Sequence, residues 1–135
     1  MKSILLLMGP NLNMLGEREP EIYGSETLHE HVKEAERVTN EFGYELQHYQ
    51  SNNEGDLVDQ IQNAREKHIG IIINPGALTH YGWSIHDALA AYEGVIIEMH
   101  LSNPNQREPW RHTSVVAPVA DGSIVGFGIQ GNELS

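Results

Sequence analysis

The sequence is an acidic chain of 135 residues that carries a formal net charge of −11 and contains no cysteine. Its length suits a single domain over residues 1–135, and its 39% hydrophobic residues are enough to build a core. The lack of cysteine excludes disulfides, thiolate nucleophiles and Cys-ligated metal sites. Nineteen acidic against eight basic residues predict no nucleic-acid partner, because such a partner requires many Lys and Arg.

The first apolar run, Ile4–Met8, is too short for a secretory signal and ends at Gly9-Pro10. No segment approaches the roughly twenty apolar residues of a membrane helix. We therefore expect a cytoplasmic protein without a membrane partner.

In the first half of the chain the predicted elements alternate. Ile4–Met8 is a buried strand, and a helix follows from Thr27 to Phe42, with Thr27 and Glu30 as its capping box and Gly43 as its terminating glycine. The apolar side chains predicted to face inward on this helix are Leu28, Val32, Ala35, Val38 and Phe42. The next strand, 44–50, alternates with polar residues, which is typical of a sheet edge.

The second half continues the alternation. Ser51 and Glu54 predict a second capping box, which opens a helix to about Lys67. The remaining predicted elements are a strand over 70–73, a helix over 79–92, a strand over 94–99 and a strand over 123–127. Alternating helices and apolar strands predict an α/β fold: a flavodoxin-like, five-stranded parallel sheet with helices on both faces.

Three long loops follow the first, third and fourth strands, over 9–24, 74–80 and 100–112. They contain five of the six prolines and three of the five arginines. In an open α/β sheet, ligands bind outside the carboxyl ends of the strands. The loops therefore predict one shared pocket.

The histidines raise the question of a metal site. His29 and His31 are predicted on a solvated helix face, and His48 and His68 on the surface. Glu98 and His100 lie two apart on a strand, which places both on one face, where His80 could join them. A metal site and general acid–base chemistry with a hydrogen-bonded histidine both fit this trio.

Two other motifs do not support a known chemistry. The glycine pattern over 126–131 has the letters of a dinucleotide fingerprint, but only four residues follow it, too few for the required helix. Ser84, His86 and Asp87 have the letters of a nucleophilic triad, yet their spacing on a helix does not point all three the same way. We reject both the cofactor site and the serine hydrolase.

The first loop and the last loop contain groups suited to a base and an anion site. Arg18 could favour the phenolate form of Tyr23, although Tyr23 could equally pack over its loop. The groups that could hold a carboxylate are the side chains of Arg107 and Arg111 and the region of Leu101 and Ser102. A solvated basic patch is the alternative for the two arginines.

Four ordered motifs stand out in these loops: Gly9-Pro-Asn-Leu-Asn-x-Leu-Gly-x-Arg-Glu-Pro-x-x-Tyr-Gly24, Asn74-Pro-Gly-Ala-x-Thr-His80, Glu98-x-His-Leu-Ser-Asn103 and Arg107-Glu-x-x-Arg-His-x-Ser114. They closely resemble type II 3-dehydroquinate dehydratase, and the glycines of 126–131 are similar to the last strand of that family. The resemblance implies a flavodoxin-like hydro-lyase of the shikimate pathway, which serves aromatic amino acid biosynthesis. Enzymes of this family convert 3-dehydroquinate to 3-dehydroshikimate through an enolate, without metal or cofactor. They form a homododecamer, which is a tetramer of trimers.

The resemblance also implies a role for each site residue. Tyr23, as a phenolate beside Arg18, removes the proton next to the ketone, and a water held by Asn11 stabilises the enolate. His100 protonates the departing hydroxyl, and Glu98 orients His100. The substrate contacts implied are Asn74, His80 and Arg111 on hydroxyls, the amides of Leu101 and Ser102 on the carboxylate, and Asp87 from a neighbouring subunit. Arg107 resembles the supporting arginine next to the catalytic tyrosine.

The alternative function is a non-catalytic flavodoxin-like module that binds a small molecule or transmits a signal. A phospho-receiver of this kind needs clustered acids at the strand ends. Those ends carry Asn, Arg, Tyr and His here, which favours the dehydratase.

Overall fold

The computed structural model describes residues 2–15, 27–101 and 109–125. Its strands are β1 (Ser3–Met8), β2 (Glu45–Gln50), β3 (Gly70–Asn74), β4 (Val95–His100) and β5 (Gly122–Val125). They pair in parallel in the order β2-β1-β3-β4-β5. The predicted five-stranded parallel sheet is confirmed, and so is the edge position of β2.

Helices cover both faces of the sheet. They are α1 (Leu28–Glu41), α2 (Glu54–Ala64) and α3 (Trp83–Ala90). Successive strand residues point to opposite faces, so β1 contributes Leu6 to the core beneath α1, and Leu5 and Leu7 to the core beneath α2 and α3. Within the described ranges, no helix is long and apolar enough to cross a membrane.

The ends of α1 agree with the sequence prediction. The Thr27 side chain accepts a hydrogen bond from the Glu30 amide at 3.2 Å, which confirms Thr27 as the N-cap. Gly43 has a φ of 83°, a left-handed conformation that suits glycine after a helix.

The start of α2 corrects the prediction. Its N-cap is Asn53, whose side chain accepts from the Gly55 amide at 2.8 Å. Ser51 lies two residues earlier, where its hydroxyl accepts from the Asn53 amide and donates to Asp56. The predicted capping box at Ser51 and Glu54 is therefore wrong, and the helix ends at Ala64 rather than at Lys67.

The helix predicted over 79–92 is divided. A 3-10 turn covers Gly76–His80, and α3 begins only at Trp83. Between them, the Gly82 amide donates to the Leu78 carbonyl at 2.6 Å, so closely that a Cβ on Gly82 would lie 2.7 Å from that oxygen. This tight turn redirects the chain and ends the first helical segment.

Burial corrects three further predictions. Phe42 is 73% exposed because it lies beyond the last residue of α1, outside the helical stripe. His31 is only 3% exposed, since it falls between Leu28 and Ala35 at helical spacing and joins their inner face. His68 is half-buried, with its ring 2.8 Å from the Ser3 hydroxyl, whereas His29 and His48 are exposed as predicted.

The carboxyl ends of β1 and β3 meet at Gly9. Its amide donates to the Asn74 carbonyl at 2.8 Å, and a Cβ at this position would overlap the carbonyl group of Pro75, with the carbonyl carbon at 2.7 Å. Both loops that leave these strands toward the site depend on this close approach.

We expect Gly9→Ala to lower the free energy of unfolding by about 1–3 kcal/mol, the usual cost of overpacking. Denaturant unfolding followed by circular dichroism measures the change. Gly55→Ala is the matched control, because Gly55 lies in the first turn of α2, where alanine is intrinsically favoured, and a Cβ there would meet a side-chain oxygen of Asn53 at 3.2 Å rather than backbone atoms. A Gly9→Ala protein as stable as the native chain would contradict the close approach.

Candidate active site

The predicted pocket lies at the carboxyl edge of the sheet. Five of its predicted residues belong to or directly follow the central strands: Asn11, Asn74, Glu98, His100 and Leu101. His80 and Arg111 lie in two 3-10 turns, Gly76–His80 and Pro109–His112. The remaining predictions on Arg18, Tyr23, Ser102 and Arg107 fall outside the described residues.

Glu98 and His100 form a buried pair on β4. The two residues share one face of the strand, as the sequence predicts, and His100 Nε2 lies 2.7 Å from Glu98 Oε2. Only 3% of the Glu98 side chain and 12% of the His100 side chain are exposed. In this shielded setting the carboxylate can orient the imidazole ring.

Three hydroxyl groups surround the Glu98 carboxylate. Thr79 Oγ1 donates to Oε2, Ser114 Oγ lies 3.0 Å from Oε2 and 3.2 Å from Oε1, and Ser123 Oγ lies 3.3 Å from Oε1. We call these three residues the hydroxyl cluster. Together with His100 they supply enough donors for an ionised carboxylate.

Two opposing effects decide the charge of Glu98. Burial by itself raises the pKa of this carboxyl. The hydrogen bond and charge of His100, with the hydroxyls of Thr79 and Ser114, outweigh burial and hold the pKa of Glu98 below its ordinary value. The carboxyl is therefore ionised at neutral pH.

Sequence reasoning missed the hydroxyl cluster. Thr79, Ser114 and Ser123 lie 19, 16 and 25 residues from Glu98 along the chain, so no local spacing joins them. The available signal was that Thr79 belongs to the motif over 74–80 and Ser114 to the motif over 107–114, where neither had an assigned role.

His80 is held beside the pair by the loop that follows β4. Its Nδ1 lies 2.5 Å from the Thr113 carbonyl oxygen, and its ring meets Trp110 edge-on, with 5.0 Å between the centroids. Arg111 lies over the same indole, with its guanidinium carbon 4.1 Å from the ring centroid. Trp110 thus packs against both polar groups.

His80 is neutral at physiological pH. Burial lowers the pKa of His80, and the charges of His100 and Arg111 add to that effect, while the hydrogen bond to Thr113 and the Glu98 charge oppose it; the net pKa is below the ordinary value. Since the Thr113 oxygen can only accept, Nδ1 of the neutral ring carries the proton, and Nε2 is an acceptor.

The asparagines are fixed by the loops that follow β1 and β3. Asn11 adopts a left-handed backbone with φ of 68°, and its amide donates to the Asn52 side chain at 2.9 Å. Asn74 is 4% exposed, and its Oδ1 accepts from the Gly76 amide at 3.2 Å. With its oxygen engaged in this way, Asn74 presents its NH₂ group as a donor.

Two predicted residues stand apart from this cluster in different ways. Leu101 is buried, with its side chain in the apolar core beneath α1, so only its backbone is suited to contact a ligand. Asp87 is exposed on α3, in keeping with the outward orientation expected from the sequence.

The trio of His80, Glu98 and His100 does not form a metal site. Within 2–15, 27–101 and 109–125, no three His, Cys, Asp or Glu side chains are arranged to hold a metal ion. The reason is that the Glu98 oxygens are occupied by hydroxyl donors and that His100 Nε2 faces Glu98. Of the two interpretations of the trio, the geometry favours acid–base chemistry.

The residues Ser84 and His86 are likewise engaged elsewhere. Ser84 donates to Glu54 on α2, and His86 Nδ1 lies 2.5 Å from the Val115 carbonyl. Their separate partners agree with the rejection of a serine hydrolase.

Comparison with known proteins identifies the family to which this geometry belongs. The model of the family described as "Dehydroquinase class II" matches residues 2–135. A 3-dehydroquinate dehydratase from Roseiflexus castenholzii is 56% identical over 132 residues, which is 98% of this chain and 84% of that protein. One from Anoxybacillus flavithermus is 51% identical over 100% of this chain and 91% of that protein.

Solved structures agree with the sequence comparison. The crystal structure of a type II dehydroquinase from Butyrivibrio crossotus superposes with a TM-score of 0.96 at 46% identity, and the match covers 98% of this chain and 93% of that one. Sequence and fold therefore point to one family over nearly the whole chain.

Proposed function

The chain belongs to the class II dehydroquinase family, and from that premise we propose that it is a hydro-lyase that removes water from 3-dehydroquinate to give 3-dehydroshikimate. The observation that carries this proposal is the buried Glu98–His100 pair at the carboxyl edge of the sheet. The reaction needs a group that gives a proton to the departing hydroxyl, and a histidine held by a buried carboxylate is suited to that step.

His100 supplies the acid in this mechanism. Its imidazolium, paired with Glu98 at 2.7 Å, protonates the hydroxyl as the carbon–oxygen bond breaks, and water leaves. Glu98 stays ionised during the step, because the hydroxyl cluster donates to it. Its charge stabilises the imidazolium before the transfer.

Tyr23 supplies the base. As a phenolate stabilised by Arg18, it removes the proton from the carbon next to the ketone and leaves an enolate. A water molecule held by Asn11 donates to the enolate oxygen. Charge that develops in the transition state is best stabilised by donors already in place, and the backbone of Asn11 is anchored by its bond to Asn52.

The substrate's polar groups are bound by the surrounding loops. The NH₂ group of Asn74, the Nε2 acceptor of His80 and the guanidinium of Arg111 contact the ring hydroxyls. The carboxylate is held by the amides of Leu101 and Ser102. We propose that Arg107 acts beside Tyr23 and that Asp87 completes the site of a neighbouring subunit.

Three further expectations from the sequence stay predictions: the single domain over 1–135, the cytoplasmic location and the homododecamer. The exposed position of Asp87 on α3 supports the third, since a residue that completes a neighbour's site must lie on the outer surface. The mechanism proposed above requires no metal and no cofactor.

An activity assay with a chelator tests the proposed function. Purified protein in excess EDTA should convert 3-dehydroquinate to an enone, followed by its near-ultraviolet absorbance, at the same rate as protein without EDTA. Sodium borohydride should not inactivate it in the presence of substrate, because the mechanism forms no Schiff base. A rate that EDTA abolishes would overturn the metal-free mechanism, and binding of 3-dehydroquinate without turnover would favour the non-catalytic module.

A further inference from the structure

The hydroxyl cluster surrounds the Glu98 carboxylate with several hydroxyl groups on both of its oxygens. Thr79 is 1% exposed, and its hydroxyl donates to Oε2. Ser114 reaches both carboxylate oxygens, at 3.0 Å and 3.2 Å. The two hydroxyls lie 2.8 Å from each other, so they form one connected group on a single carboxylate.

The hydrogen bonds of Ser114 determine the direction of its proton. The Ser114 oxygen accepts from the Val116 amide at 3.2 Å and from the Ala117 amide at 2.9 Å. These two contacts engage the acceptor capacity of the hydroxyl, so its one proton points to Glu98 or to Thr79 Oγ1, which lies 2.8 Å away. In the first case the serine donates to the carboxylate directly, and in the second it donates to the threonine hydroxyl that does so.

The backbone holds both hydroxyls in place. The Val115 amide donates to the Thr79 carbonyl at 2.6 Å, and this bond ties the segment of Ser114 to the turn of Thr79. The ring of His80 adds a second tie through the Thr113 carbonyl. Donors fixed in this way already point to the ionised carboxylate, so they need not reorganise during the proton transfer.

A proton shared by Glu98 and His100 has two arrangements. In one, a carboxylate faces an imidazolium; in the other, a carboxylic acid faces a neutral imidazole. Hydroxyl donors stabilise the carboxylate much more than the acid, so they favour the first arrangement. Only the first can donate a proton from His100 to a leaving hydroxyl.

We propose that Thr79 and Ser114 are positioning residues for this reaction, whose hydroxyls keep Glu98 ionised and thereby keep the shared proton on His100. The proposal rests on the proposed function, in which His100 is the acid. Among the described residues, His80 feels the charges of the pair and of Arg111; its Nδ1 is bonded to Thr113, and an arginine has no acceptor for a hydroxyl.

The test compares pH profiles of kcat for Thr79→Val, Ser114→Ala and the double variant. Each lost hydroxyl should lower the ratio of the first arrangement to the second by about tenfold, the scale of one hydrogen bond to a charged group, so near neutral pH kcat should fall most in the double variant and less in each single variant. KM should change little. At alkaline pH the dominant form of the pair is a carboxylate beside a neutral imidazole, and the active form is a carboxylate beside an imidazolium. Both forms contain the carboxylate, so losing the hydroxyl donors affects the two forms equally. The rates of the variants should therefore converge with the native rate.

Controls separate this effect from general damage to the fold. Thr79→Ser keeps the hydroxyl and should restore the native profile. Thr39→Val removes a buried hydroxyl of the same type, which bonds to the Ala35 and Glu36 carbonyls on α1, and should leave the profile unchanged. If Thr79→Val does not fold, Ser114→Ala carries the test, because Ser114 is only half-buried. A loss of the same factor at every pH, or no loss, overturns the proposal.

A measurement without substrate distinguishes this proposal from the proposed function. The ¹⁵N chemical shifts of the His100 ring report how much imidazolium is present. At neutral pH the double variant should contain less imidazolium than the native protein and than Thr39→Val. If the double variant contains less imidazolium but the native protein is inactive, the proposed function alone is refuted. If the native protein is active but its variants keep the native imidazolium content, the role of the hydroxyls alone is refuted.

Discussion

We expect His100→Gln to lower kcat by roughly 10²- to 10⁴-fold, the range that a positioned general acid contributes. A glutamine amide can still donate to Glu98 but has no proton to give to a leaving hydroxide. The pair is nearly buried, so bulk water has restricted access to the position from which the proton is delivered. Initial rates with 3-dehydroquinate measure the loss, and KM should stay within a few-fold of the native value.

His48→Gln is the matched control, because His48 is an exposed histidine on the edge strand β2. It should keep native turnover. A second measurement identifies the step that is lost: in deuterated water, His100→Gln should still exchange the substrate proton next to the ketone, since the base is intact. Native turnover by His100→Gln would remove His100 from the acid role.

Tyr23→Phe is expected to have an effect of the same order, roughly 10²- to 10⁴-fold on kcat. The change deletes the phenolic oxygen and with it the proposed base. A phenol with an ordinary pKa near 10 is a weak base at neutral pH until a neighbouring cation favours its ionised form, and Arg18 is the residue proposed to do so. Circular dichroism should show an unchanged fold.

The Tyr23 variant should lose proton exchange as well as elimination, because no enolate forms. Tyr44→Phe is its control, since Tyr44 precedes β2 at the amino end of the sheet, opposite the site. If Tyr23→Phe exchanges the proton at the native rate, another group is the base. The two variants together assign the base and the acid to separate residues.

The sequence alone determined the strands and the helix faces beneath them. Apolar runs such as Ile71–Ile73 are buried on both faces wherever helices cover a sheet, so composition and period were sufficient to predict them. Thr27 and Gly43 bounded α1 correctly, because caps act on backbone groups a few residues away. The face shared by Glu98 and His100 followed from the period of a strand for the same local reason.

Errors arose where a local pattern was extended past the point at which the chain turns. Phe42 continued the apolar spacing of α1 but lies beyond its last helical residue and is exposed. His31 was assigned to a solvated face from its polarity, although its spacing places it on the buried stripe. The break at Gly82 depends on contact with the Leu78 carbonyl, and spacing alone does not report that contact.

The tertiary structure alone decided the environment of Glu98. Thr79 and Ser114 are 35 residues apart, yet their hydroxyls lie 2.8 Å from each other and both bond to one carboxylate on β4. Side chains so distant in sequence meet only because parallel strands bring their carboxyl ends, and the loops that follow, to one edge of the sheet. The identity of the pair was thus available from local spacing, whereas its charge depends on donors that only folding assembles.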